Sequence, residues 1–199
     1  MKLLLLIVLV CGGLLLWPNV RNRIYGRISA AMQSNALSGC SDGWYITGYF
    51  VPREDELPGE PEQIEVERLG NLSFSHEFLE HTRTEGWGVT RFGWALGHYD
   101  NAWHRSDRGP LDASGKPLVI GAIAIDRSVI PSGSQVQIST LPSPWGAKTF
   151  QATDIGNGIV GQHIDVFTGT GNAAEQETFR ITSENNRVCV TSNAPQGPQ

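Results

Sequence analysis

Asp154-Ile-Gly-Asn-Gly-Ile-Val-Gly-Gln-His-Ile-Asp-Val-Phe167 is the stretch on which the reading of the fold turns. It follows a strand-like run, Lys148 to Thr153, breaks at a glycine-rich turn, and resumes as a second run, His163 to Phe167. In a regular strand His163 and Asp165 share one face, since side chains alternate with a period of two. Working outward, Leu118 to Asp126, Ser134 to Thr140 and Arg187 to Thr191 have the same apolar, β-branched character. Ile130-Pro131-Ser132-Gly133 joins the first two, and Asn172 to Glu177 has room for one helical turn before the last. Many short strands with few helices predict a mainly β chain built as a small β-barrel.

The region before Leu118 is read less sharply. Trp44 to Val51 (WYITGYFV) reads as a strand ended by Pro52. Arg53 to Arg68 holds seven acids with Pro58 and Pro61, a composition expected of a solvated loop. Phe74 to Arg83 places Phe74, Phe78 and Leu79 at helical spacing with Ser73 available as cap, which predicts a short amphipathic helix. Gly86 to Tyr99, dense in glycine and tryptophan, reads as irregular core packing or as an aromatic carbohydrate wall.

At the other end, Lys2 precedes an unbroken apolar run from Leu3 to Trp17, the pattern of an export signal. Its fifteen residues cover roughly 22 Å as a helix, short for a bilayer span, so a cleaved signal and a retained anchor both fit. The expected organisation is residues 1–28 as signal or anchor, 29–39 as tether, and 40–199 as one barrel domain. Contact with membrane is expected only through the first segment.

Without Lys2, Arg21, Arg23 and Arg27, the remaining 11 bases face 20 acids, a net charge of −9. Such a body does not attract nucleic acid by charge. In an oxidising compartment Cys40 and Cys189, the even pair left in the exported part, are expected to be bridged. Leu37-Ser38-Gly39-Cys40 has the letters of a lipidation box, but it lies some twenty residues beyond the apolar run.

Three aspartates stand at the edges of apolar strands: Asp126 in AIAIDRSVIP, Asp154, and Asp165 in GQHIDVF. A carboxyl there is costly to ionise unless paired or hydrogen-bonded, and a raised pKa is what a general acid for glycosidic cleavage needs. Each alone could equally accept backbone hydrogen bonds at a turn. Three around one barrel edge point to a site.

The two aspartates at 154 and 165, with Gly156, Gly161 and His163 between them, closely resemble the signature of the three-aspartate (3D) domain of membrane-bound lytic transglycosylase A and related wall enzymes. Asp126 resembles the first aspartate of that set. Thr47-Gly48-Tyr49-Phe50-x-Pro52 is similar to that enzyme's TGYYxP opening, and Gly169-x-Gly171-x-x-Ala174 to its segment after the last motif strand. The resemblance covers Leu118 to Val190.

The resemblance implies a double-psi β-barrel and cleavage of the β-1,4 bond between N-acetylmuramic acid and N-acetylglucosamine in peptidoglycan strands. It implies a 1,6-anhydro product and residence in the periplasm or cell envelope, as for outer-membrane relatives. Asp165 is then the acid and base, Asp154 a charge-stabilising partner and Asp126 a positioning residue. Gly48, Tyr49, Trp87, Gly156, Gly161 and His163 are expected around the substrate. Only Arg53 to about Gly115 separates the opening strand from the 3D region, so the groove should be shallower than in the transglycosylase, with Trp87, Trp94, Tyr99 and Trp103 supplying its wall. A barrel that binds glycan without cutting it, or a hydrolytic muramidase, would use the same groove.

Other readings fail on spacing. Gly169 to Ala174 matches a dinucleotide loop, G-x-G-x-x-A, but too little chain follows for the helix and parallel strand that loop requires. His76 and His81 are five apart, where two zinc ligands on one helix face need four. No nucleophile elbow is present, and no metal or organic cofactor is called for. Oligomeric state has no signature in the sequence.

Overall fold

Gly39–Val51 (β1), Ala122–Ile125 (β7), Gln135–Gln137 (β8), Thr149–Asp154 (β9), His163–Thr170 (β10) and Ser183–Thr191 (β11) close a six-stranded barrel in a computed structural model that describes residues 39–191. The order around the barrel is β1-β10-β7-β9-β8-β11. β1 runs parallel to β10 and β7 parallel to β9, and the other pairs are antiparallel. Alternation decides which side chains go inside. Ile46, Ile123, Ile125, Ile164, Val166, Val188 and Val190 join Trp44 and Phe150 in one buried cluster, each worth about 1.5–3 kcal/mol of apolar burial. Their sequence neighbours face out, and the acids lie among those.

Cys40 and Cys189 stand opposite each other where β11 meets β1, and a disulfide joins them. The sulfur of Cys40 is therefore occupied within the chain, which leaves the Leu37 to Cys40 box without its thiol. The apolar segment, the tether up to residue 38 and the last eight residues lie outside the described part. Among the described residues no helix is long and apolar enough to cross a membrane.

Asn172–Ile181 forms a ten-residue helix (α2), longer than the single turn expected. Two glycines set it in place. Gly171 has φ 81° and a Cβ there would lie 2.6 Å from the Glu56 carboxylate, whose Oε2 accepts the Asn172 amide at 2.6 Å. Gly48 lets the helix lie on β1: its Cβ would approach the Thr178 Cα to 2.7 Å. The loop that resembles a dinucleotide site is thus a strand-to-helix turn whose helix N-terminus already holds an anion of the chain itself.

Between β1 and β7 lies a second sheet. Pro61–Val66 (β2), Gly70–Ser75 (β3), Trp87–Val89 (β4), Ala95–Tyr99 (β5) and Ala102–Ser106 (β6) pair in the order β3-β2-β6-β5-β4. The helix His76–Glu85 (α1) packs Phe78 and Leu79 against Ile64, Val66, Phe74, Leu96 and Trp103. Its N-cap is Ser75, two residues later than expected.

Two expectations are corrected here. Arg53 to Arg68 is no solvated loop: from Pro61 its acids alternate with Ile64 and Val66, which are buried, while Glu65 faces solvent. Earlier in the segment Glu54 is buried on purpose, accepting the Ser75 and Arg91 amides and the Arg91 guanidinium. Gly86 to Tyr99 is likewise regular, forming the antiparallel pair of β4 and β5.

Candidate active site

The register of four neighbouring barrel strands sets the site. Thr47 on β1 pairs with Asp165 on β10, Asp165 with Ala124 on β7, and Ala124 with Asp154 on β9. The four residues form one row across the outside of the barrel, with the small Ala124 between the two carboxylates. Below this row Val51, Phe167 and Ala122 pack with Tyr49, Trp87 and Val89, so apolar material seals one side.

The three aspartates differ in how well they are satisfied. Asp126 accepts the Ser128 amide and hydroxyl at 2.8 and 2.6 Å and the Gly161 amide at 2.8 Å, and these bonds, Gly161 first, hold its carboxyl below the ordinary range. Asp154 accepts the Tyr49 hydroxyl at 2.8 Å and the amides of Ala113 and Ile155 at 2.9 Å each. Burial outweighs those bonds, so its pKa is raised. Burial, followed by the charge of Asp154, keeps the Tyr49 phenol protonated.

Asp165 has one donor. The Thr47 hydroxyl reaches its Oδ1 at 2.7 Å, and its Oδ2 accepts no hydrogen bond from any described residue. Burial, with a further contribution from the charge of Asp154 and against the Thr47 bond, pushes its pKa up to about 6. The same Thr47 Oγ1 lies 2.9 Å from His163 Nε2, and the Tyr45 ring lies against that imidazole at 4.7 Å. With the hydroxyl proton given to Asp165, His163 donates through Nε2. Burial keeps the imidazole less basic than usual, so it does this as a neutral ring.

A cleft of about 510 Å³ opens beside Thr47. Tyr45, Thr47, Gly48 and Phe50 of β1 line it, between walls from α1, which include Glu80, His81 and Glu85, and from α2, which include Glu175 and Phe179. Asp165 stands behind Thr47, one hydrogen bond from this lining.

The structure brings Thr47, Tyr49, Asp154, His163 and Asp165 together. It places Asp126 just past β7, bonded to Gly161 of the turn between β9 and β10, and Gly156 at that turn's exposed start. Gly48 lines the cleft and also admits α2. Of the tryptophans, Trp87 packs below the row and lies against Gly97 and Tyr99, Trp94 packs on Phe74 and Phe92, and Trp103 is buried. None of them lines this cleft. Of the aromatic set expected as a sugar wall, Tyr99 alone is exposed, stacked on His104 at 3.9 Å. The cleft's own aromatics are Tyr45, Phe50 and Phe179, of which Phe50 is buried and Phe179 largely exposed. Glu85 was not legible in the sequence, since nothing local distinguishes it from the other glutamates of its helix.

Residues 121–186 match the family model of the 3D domain. The chain carries a 3D domain. That domain runs from the start of β7 into β11 and contains Asp126, Asp154 and Asp165, while Thr47 and Tyr49 reach it from β1 outside the matched segment. Solved structures extend the likeness beyond the 3D domain. MltA from Escherichia coli with bound chitohexaose superposes with a TM-score of 0.57 at 13% identity, over 88% of this chain and 84% of that one. A membrane-bound lytic murein transglycosylase from Agrobacterium tumefaciens gives 0.54 at 13% identity, over 83% and 78%. MltA from Neisseria gonorrhoeae gives 0.53 at 14% identity, over 79% and 74%. At these identities the shared property is the fold. No curated protein matches the chain in sequence.

Proposed function

We propose that the chain is a peptidoglycan lytic transglycosylase in which Asp165 is both acid and base. The observation that carries this reading is the unequal treatment of the three aspartates: Asp165 alone keeps a carboxylate oxygen without a donor among the described residues, beside a cleft, with its pKa pushed up to about 6. A structural aspartate in that position would be expected to have its oxygens satisfied, as Asp126 and Asp154 do.

In this reading a glycan strand lies along the cleft with a β-1,4 bond between N-acetylmuramic acid and N-acetylglucosamine beside Asp165. The protonated carboxyl gives its proton to the glycosidic oxygen as the C1–O bond breaks, and N-acetylglucosamine leaves with a free 4-hydroxyl. The positive charge that develops at C1 is near the Asp154 side of the row, where negative charge favours it. Asp165, now a carboxylate, takes the proton from the C6 hydroxyl of the same muramic residue as that oxygen bonds to C1. The 1,6-anhydro ring closes, Asp165 is protonated again, and no water is consumed. Thr47 keeps the carboxyl aimed through both steps, and neutral His163 fixes Thr47 in turn.

The same reading takes the barrel as double-psi, places the protein in the cell envelope after export, and makes residues 1–28 the signal or anchor. MltA from E. coli was crystallised with chitohexaose, which supports a glycan as the occupant of an equivalent cleft. The test is mass spectrometry of products released from purified peptidoglycan by the full chain beside Asp165→Asn. Anhydro-muropeptides from the parent alone are expected. Reducing muropeptides would make it a hydrolase, and retained glycan binding without products would make it a binding module.

A further inference from the structure

We propose that Glu85 is a second glycan-contacting carboxyl of the cleft, which in its protonated form donates a hydrogen bond to the saccharide from the α1 wall beside β1. This rests on the reading of the cleft as a glycan site. Glu85 is the last residue of α1 and lines the cleft together with Thr47 and Phe50. Its Oε2 accepts the Phe50 amide at 3.3 Å, a long bond, and its Oε1 has no partner among the described residues.

A carboxylate is badly placed there for stability. It sits at the negative end of a helix, next to the left-handed cap Gly86, and largely out of water. The molecule shows how it treats a buried glutamate kept for structure: Glu54 collects two backbone amides and a guanidinium. Glu85 collects one strained amide contact and faces open space. A carboxyl so placed and so little satisfied is better explained by what enters the cleft than by the fold around it.

Its protonation supports the same role. Burial first, then the charges of Asp165 and Glu175, push its pKa up to about 7, against the pull of the Phe50 amide. Asp165, the stronger acid, ionises first, and Glu85 then feels its charge. The other titratable groups facing the cleft are Glu77, Glu80 and His81 from its own helix, Tyr45 from β1 and Glu175 from α2. Of the remaining elements packed on α1, β3 and β4 carry no titratable side chain, and the one on the facing part of β5, His98, turns onto Trp103 at 4.5 Å. Below its pKa Glu85 can donate to a hydroxyl or acetamido oxygen of the sugar. Above it the cleft loses that donor and gains a second anion near Asp165.

The experiment is calorimetric titration of chitohexaose, the β-1,4 hexamer of N-acetylglucosamine, into the full chain carrying Asp165→Asn, which binds without turnover. With the Asp165 charge gone, affinity is expected to fall roughly tenfold as pH rises, over a range that starts below the value of about 7 at which Glu85 titrates in the parent. Adding Glu85→Gln, which keeps a donor and cannot ionise, should hold the acid-side affinity across that range. Adding Glu175→Gln should instead move the fall to lower pH, because one of the charges that raises Glu85 is gone. A Glu85→Gln protein that folds but keeps the parental pH dependence, or one that no longer binds at the acid end, overturns the proposal while leaving the glycan reading intact. An Asp165→Asn chain that binds no chitohexaose at any pH overturns both.

Discussion

The ends of β7 and β9, which carry Asp126 and Asp154, and the strand β10, which carries Asp165, belong to one motif, yet they treat a carboxylate in opposite ways. At those strand ends, each aspartate is saturated by three donors, most of them amides of neighbouring glycine-rich or polar segments. On the strand, Asp165 is buried against one hydroxyl and left wanting. Under the proposed reading, the number of donors, more than burial or sequence position, sets the acid and base apart from the two carboxyls beside it.

Substitutions can break this contrast. Asp165→Asn removes the group proposed to give and regain the proton at the bond, and anhydro-product formation should fall by about 10³-fold or more with the fold intact by circular dichroism. A residual rate within tenfold of the parent would move the acid elsewhere, Glu85 first. Asp154→Asn should cost about 10–100-fold in kcat, because the Tyr49 hydroxyl and both amides keep a partner while the charge is lost. Asp126→Asn should leave kcat within a few-fold but lower Tm by a few degrees, since Gly161 and Ser128 lose a charged acceptor.

A smaller effect sharpens the comparison through pH. Asp165 titrates at about 6 in the fold against 3.8 in an unfolded chain, so the folded state holds this proton more tightly. Its contribution to stability is therefore lost as pH rises from about 4 to about 6 and is level above that. Asn at 165 escapes the loss. The advantage of Asp165→Asn over the parent in unfolding free energy should grow across that window and then plateau, on the order of 2 kcal/mol after allowance for partial solvent access. An advantage that shrinks with rising pH would mean that the carboxylate is stabilised in the fold after all.

How far the sequence carries depends on the kind of order involved. The barrel was legible because its strands are apolar runs set off by glycine and proline turns, and because burial inside a barrel requires the period-two pattern. The second sheet was not. In Pro61–Val66 the acids on the solvent face dominate the composition, and only the alternation with Ile64 and Val66 betrays a strand. The three aspartates could be found from their apolar surroundings, but their ranking by donors could not, since Tyr49, Ala113 and Gly161 reach them from 35 or more residues away. Thr47 was present in the opening motif without any sign that its hydroxyl would meet both Asp165 and His163. The tryptophans could not be placed from sequence because a glycine-separated aromatic run looks the same whether it faces sugar or pads a hydrophobic interface.

The Cys40–Cys189 bond has a mechanical meaning as well. It lies at one end of the seam where the first and last barrel strands meet, one residue inside the Gly39–Val190 pair. A load entering the described chain at Gly39 and leaving at Thr191 runs through the sulfur bridge within a few ångströms, and the strands that carry Asp165 and Asp154 bear none of it. Reduced, the ring is still closed by the β1–β11 ladder, but its Gly39–Val190 end would take the load directly, as a zip does at its open end. The disulfide is thus a clasp, keeping a pull on the ends off the strands that carry Asp154 and Asp165.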